Sequence, residues 1–171
     1  MRNRPVPDKR SNLSQKLQQG VRLHQQGEFA RAALHYSAIL AAQPNHFDAL
    51  HLLGVARLQQ GRNAEARDKI EAALKVNPKS AEALSNLGIA WGSLGRPEEA
   101  IASYDRALAI KPDYADALYN RGAALRDLKR PVEAVASYDR ALALRPGYAE
   151  ALYNRGLALK ELERSAEAVA S

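Results

Sequence analysis

Apolar residues recur at three- and four-residue spacing through most of the chain. Between residues 82 and 94, Leu84, Leu87, Ala90, Trp91 and Leu94 share one helical face. Gly95-Arg96-Pro97 interrupts the pattern, which resumes over 98–110 with Ala100, Ile101, Tyr104, Ala107 and Leu108. Pro97 suits a first helical position, because its missing N–H would have no intrahelical partner there. Glu98 and Glu99 place negative charge at the positive end of the second helix. Pro112 stops that helix. The pattern predicts a helix, a tight turn and a second helix.

The whole pattern returns every 34 residues. AEALSNLGIAWGSLGRPEEAIASYDRALAIKPDY over 81–114 is followed without a linker by ADALYNRGAALRDLKRPVEAVASYDRALALRPGY over 115–148. Gly20, Gly54, Gly88, Gly122 and Gly156 keep the step, as do Ala32, Ala66, Ala100, Ala134 and Ala168. Pro44, Pro78, Pro112 and Pro146 close the first four units. The units are 13–46, 47–80, 81–114 and 115–148, with a partial fifth at 149–171. A period of 20–50 residues marks stacked supersecondary units, each contacting only its neighbours. Gly88 and Ala100 are expected where the two helices of a unit cross closely. A bulky side chain at Ala100 would overpack that crossing, at ~1–3 kcal/mol.

These residues resemble the tetratricopeptide repeat family, whose pattern is W-x2-L-G-x2-Y, then A-x3-F, then P. The third unit supplies Leu84-x2-Leu87-Gly88-x2-Trp91, then Ala100-x3-Tyr104, then Pro112. Leu replaces the opening Trp. The family's Leu before the Gly becomes Gln19, Arg121 and Arg155 in the first, fourth and fifth units. The mid-repeat Gly27, Gly61 and Gly95 become Lys129 and Glu163, which loosens the turn preference. The resemblance implies an all-α, right-handed solenoid of helix-turn-helix repeats. By register the fifth unit's second helix begins near Ala166, leaving about six residues, too few to hold a helix alone. The expectation is a chain cut from a longer array.

Residues 1–12 are polar, basic and broken by Pro5 and Pro7, and are expected to form a disordered lead-in. No apolar run follows them, so they are not a secretory signal. No stretch approaches the ~20 apolar residues of a membrane span. The expected location is cytoplasmic. The net charge is +6, with +3 of it in the first twelve residues, where Arg2, Arg4, Lys9 and Arg10 face only Asp8. The repeats mix both signs and show no basic stripe of the kind that binds nucleic acid.

Chemistry is scarce. There are no cysteines, and His24, His35, His46 and His51 have no metal-ligand spacing. There is no phosphate-binding glycine loop and no Gly-x-Ser-x-Gly elbow. No catalytic residue, cofactor or metal is expected in this segment. The expected partner is a protein or an extended peptide, held on the concave face that the first helices of successive units line. Asn86, Asn120 and Asn154 share one position there as a ladder of amides. Tyr119 and Tyr153 adjoin two of them, and Arg126 and Lys160 also repeat, each followed by an acid, Asp127 or Glu161. Some family members grip a peptide's C-terminal carboxylate with cations spread over three first helices. The matching positions, Leu17, Val21, Leu52, Glu82 and Asn86 or Ser85, Ile89, Asn120, Glu150 and Asn154, hold no cation. A second resemblance is to bacterial proteins in which such repeats precede an O-linked N-acetylglucosamine transferase domain. It covers only repeats, QKLQQGVRLHQQGEFARAALHYSAILAAQPNHFDALHLLGV. It implies a parent enzyme whose catalytic part lies beyond Ser171.

Overall fold

The computed structural model describes residues 9–170, and side chains over 12–163. Nine α-helices and no strand are found among the described residues. They are α1 Lys9–Gln25, α2 Phe29–Ala42, α3 Phe47–Gln59, α4 Asn63–Val76, α5 Ala81–Ser93, α6 Pro97–Ile110, α7 Ala115–Asp127, α8 Pro131–Leu144 and α9 Ala149–Ala170. Helices α1–α4 make one compact unit, ending at Pro78, and α5–α9 make another, beginning at Lys79. The helical step of the sequence pattern is therefore the step of the structure. Because α1 starts at Lys9, the last four residues of the expected lead-in are helical. The rest of that lead-in lies outside the described residues, as does the side chain of Ala168.

Each turn within a repeat is built from the same backbone bonds. Glu28, Arg62, Arg96 and Arg130 donate their N–H groups five residues back, to Leu23, Arg57, Trp91 and Leu125, at 2.9, 2.9, 3.0 and 2.9 Å. This closes the first helix with a residue in the left-handed region just before the donor. Gly27, Gly61 and Gly95 take it with φ of 76°, 71° and 70°. Lys129 takes it too, at φ 58°, at a cost of ~1–2 kcal/mol. Helices α2, α4, α6 and α8 end before prolines. The preceding residues, Gln43, Asn77, Lys111 and Arg145, are pushed to extended ψ of 86°, 91°, 87° and 85°. Each still closes a last helical bond with its own N–H.

The fifth unit, whose last six or so residues were expected to be too few for a helix of their own, forms no turn and no second helix; instead α9 runs unbroken for 22 residues. Lys129 is held in its strained conformation by α8, whose Tyr138 lies against Gly122 on α7. No second helix lies on Gly156, so nothing compensates the same strain at Glu163. The helix continues instead, gaining a backbone bond per residue.

Packing within each repeat rests on one contact. A Cβ placed on Gly20, Gly88 or Gly122 would meet the ring of Tyr36, Tyr104 or Tyr138 at 2.6, 2.5 and 2.6 Å. On Gly54 it would meet Ile70 at 2.5 Å and the Ala66 carbonyl at 3.2 Å. Ala32, Ala66, Ala100 and Ala134, one turn before these bulky residues, are completely buried. The expected close crossing is present, but the glycine's main partner is the aromatic ring. Gly156 carries the same pattern position and has nothing within 4 Å of an added Cβ.

Two outcomes follow from these observations. Gly88→Ala should lower stability by ~1–3 kcal/mol, since the buried Tyr104 ring must move. Gly156→Ala should raise it by ~0.5–1 kcal/mol, by removing glycine's extra backbone entropy from a helix. Urea unfolding midpoints of the two variants check this, and shifts of the same sign would refute it. The second outcome concerns His24 on α1, whose ring packs edge-on to Phe29 at 5.1 Å and beside Tyr36 at 6.3 Å. Its buried Nδ1 has no hydrogen-bond partner, and burial lowers its pKa below the ordinary 6.5. The unfolded chain therefore binds this proton more readily. The stabilising contribution is complete above about pH 6.5 and is lost as pH falls through the folded pKa. His24→Leu should flatten the fall in melting temperature from about pH 6.5 downward. An unchanged slope would show that other groups set it.

Candidate functional site

In the second unit the first helices of successive repeats, α5, α7 and α9, are neighbours in space. Their shared surface carries the candidate residues. Arg126 on α7 donates from a guanidinium nitrogen to Oδ1 of Asn154 on α9 at 2.5 Å. Nδ2 of Asn154 donates to the Tyr119 hydroxyl on α7 at 3.2 Å, and to the Glu150 carbonyl one turn back at 2.9 Å. Three residues singled out by their spacing thus form one network across two repeats. Asn154 has committed both amide hydrogens, so it is a brace between helices more than an open rung.

The other rungs differ. Asn86 and Asn120 are half-buried on α5 and α7. Asn86 is already engaged in an interaction. Tyr153 is 68% exposed, whereas Tyr119, one repeat earlier, is half-buried. The reason is local. Tyr148, at the end of the same repeat, lies against Tyr119 with ring centroids 5.0 Å apart, and Tyr138 lies 6.0 Å away. Among the described residues nothing stacks on Tyr153 in this way. Lys160 is exposed on α9 and stands outside the network.

Spacing alone had overlooked Tyr114 and Tyr148. They share one position at the mouth of α7 and α9, and each is capped by a cation from the preceding loop. Lys111 lies 4.9 Å over Tyr114, and Arg145 lies 4.6 Å over Tyr148 and bonds Asp116 at 3.0 Å. Their 34-residue separation was legible in the sequence. Burial, and then the charge of Asp116, push the Tyr148 phenol up to about 12. Burial likewise pushes Tyr138 up to about 12. These phenols stay neutral near pH 7 and offer aromatic surface and hydrogen bonds. No group of three or more His, Cys, Asp or Glu residues arranged to hold a metal ion occurs among the described residues.

Arg121 and Arg155, which replace the family's leucine, are also explained. Arg121 bonds Asp105 on α6 at 2.6 Å and Ser137 on α8 at 2.7 Å, tying three helices together. Arg155 makes the matching bond to Asp139 on α8. The paired spacing of Asp105 and Asp139 was the signal for these struts.

Comparison with protein families agrees with this geometry. The model described as "Tetratricopeptide repeat" matches residues 17–74, 51–115 and 92–149, and a second model of that description matches 137–170. The chain belongs to the tetratricopeptide repeat family. No curated protein matches it in sequence. Among solved structures it is similar to the MamA protein, with 27% identity, 92% of this chain and 86% of that chain covered, and a TM-score of 0.81. It is similar to the first repeat domain of Spaghetti (RPAP3) bound to an HSP90 peptide, SRMEEVD, at 26% identity, with 68% and 93% covered and a TM-score of 0.67. YrrB, described as having an unusual peptide-binding site, shares the fold at 23% identity, 86% and 76% coverage and a TM-score of 0.74. The chain is thus a tetratricopeptide scaffold, an all-α array of helix pairs.

Proposed function

We propose that the surface of α5, α7 and α9 binds an extended segment of a partner protein, without chemistry of its own. The observation that carries this reading is the Arg126–Asn154–Tyr119 network, which fixes a polar and aromatic surface across two repeats beside the open ring of Tyr153. Amides and phenols of this kind recognise backbone groups whatever the side-chain sequence. The RPAP3 repeats, similar to this chain, hold a peptide in their solved structure, which supports the class of ligand. The carboxylate-gripping cations remain missing at the positions compared above, so recognition here runs through the peptide's backbone and not its tail.

A parent glycosyltransferase is the second reading, with these repeats as its substrate-recognising part. It is supported by the resemblance of residues 15–55 and by the shared position of Asn86, Asn120 and Asn154. Reading the gene past codon 171 tests it. A stop after one or two further repeats rules it out.

For the binding reading, a partner captured from lysate with the full chain supplies a peptide for titration. Each amide–backbone bond contributes ~0.5–1.5 kcal/mol net. Replacing Asn86, Asn120 and Asn154 together by Ala should weaken binding by roughly 1–3 kcal/mol for the rungs Asn86 and Asn120, with Asn154 acting as their brace. Circular dichroism should show helicity intact, because Ala favours helix. Within that set, Asn154→Ala should also loosen Tyr119 and Arg126. Equal affinity of the wild type and the triple variant would remove these residues from the site.

A further inference from the structure

The second helices share an outer face whose chemistry changes in the first repeat. Three positions, three residues apart, read Glu65, Asp68 and Glu71 on α4, Glu99, Ala102 and Asp105 on α6, and Glu133, Ala136 and Asp139 on α8. On α2 they read Arg31, Leu34 and Ser37. The ion pair at the start of these helices is turned round as well. Arg62, Arg96 and Arg130 bond Glu65, Glu99 and Glu133, whereas on α2 Arg31 bonds back to Glu28. A helix dipole favours the acid in that first turn, so Arg31 does not serve its helix. The charge balance follows the same division. Residues 13–78 carry eight Lys and Arg against five Asp and Glu, and residues 79–171 carry thirteen against thirteen.

Leu34 is 71% exposed. Beside it a cavity of about 620 Å³ opens between α2 and the α3–α4 turn, over Phe29, Ala33 and Leu34, with Arg31, Arg57 and Arg62 at its walls. Its lining is mostly apolar. Arg57 is fixed by Gln60 at 2.7 Å and Glu65 at 3.3 Å. Arg31 and Arg62 pair with the exposed carboxylates of Glu28 and Glu65, and such surface pairs are weak. Among the described residues, second helices touch only the first helices of their own repeat and the next, as α6 meets α5 and α7. Both such neighbours of α2, the helices α1 and α3, are in place, so the cavity belongs to two whole repeats.

We propose that this cavity docks an acidic segment of a partner protein that carries bulky apolar side chains. The apolar side chains cover Phe29, Ala33 and Leu34, and carboxylates beside them bridge Arg31 and Arg62. Removal of the exposed Leu34 from water supplies the attraction. The three arginines, set against Glu28 and Glu65, leave one positive charge in excess at the cavity, which selects the sign of the partner's charge. No free C-terminal carboxylate is required. The cavity shares no residue with the α5, α7 and α9 surface proposed above, so the two readings stand or fall separately.

The test uses a fluorescein-labelled, C-terminally amidated peptide of sequence EELFDELLE, titrated with the full chain by fluorescence anisotropy. Saturable one-to-one binding is expected, weakening as salt screens the arginines. Leu34→Asp and Arg31→Glu install the residues that the second repeat carries at the same positions, Asp68 and Glu65, so the fold accommodates them. Each should weaken binding about tenfold or more, and circular dichroism verifies that the helices are kept. A peptide with its leucines and phenylalanine all replaced by alanine should not saturate. The Asn86, Asn120, Asn154 triple Ala variant should bind the acidic peptide as the wild type does. Absence of saturable binding would overturn the proposal, as would undiminished affinity in both α2 variants. Binding lost in the triple Ala variant and kept in Leu34→Asp would reassign the peptide to the other surface. Phosphatidylserine vesicles bound in place of the peptide, and released by Arg31→Glu, would give the cavity to a lipid surface instead. A dimer seen by sedimentation and dissolved by Leu34→Asp would give it to a second copy.

Discussion

The chain depends on one contact, a bulky side chain laid on a glycine where two helices cross. Without a Cβ on the first helix, the second comes close enough for Tyr36, Ile70, Tyr104 or Tyr138 to bury completely or nearly so. Alanine one turn earlier lets the backbones converge on the same side. Burial of large apolar surface at such a crossing is the main stabilising term available to a repeat that has no central core. The turn and the proline stop matter because they deliver the second helix to that crossing. Lys129 demonstrates the order of importance. Its left-handed conformation is unfavourable by ~1–2 kcal/mol, yet it forms because Tyr138 must reach Gly122.

The fifth repeat shows the same dependence from the other side. Its sequence keeps the glycine at Gly156, while the turn glycine is replaced by Glu163 and the proline of the third and fourth repeats by Ser165. With no bulky residue seated on Gly156, the turn does not form and α9 stays straight. Sequence pattern therefore showed where each helix could begin and end, because periodicity, glycine and proline are local signals. It did not show which of two local outcomes would be chosen at Lys129 and Glu163, because that choice is made by a neighbour in space. Period, helix boundaries and the buried alanines were legible. The outcome at a strained turn was not.

The candidate surface divides in the same way. Spacing placed Asn86, Asn120 and Asn154 on one position, and the structure keeps Tyr119, Arg126 and Asn154 together. Equal position did not mean equal environment, however. Asn154 is consumed by Arg126, Tyr119 and its own backbone, while Tyr153 stands free of the stacking that covers Tyr119. A side chain's availability depends on its neighbours in space, and that information is absent from its position in the repeat. The arginines at 121 and 155 looked like losses of a leucine. They are cross-helix struts whose carboxylate partners repeat with them.

In a repeat protein, what returns every unit describes architecture, and what differs between units describes use. The glycine, alanine and proline positions are filled alike because each crossing has the same steric demand. The exposed ring of Tyr153 and the amide of Asn154, committed to Arg126, Tyr119 and Glu150, lie next to each other on α9. A polar surface that satisfies backbone groups suits a chain in extended form, which brings unpaired donors and acceptors with it. An apolar crossing over a glycine suits a helix, whose backbone is already satisfied and whose gain comes from side-chain burial, and that is the contact by which the repeats themselves pack.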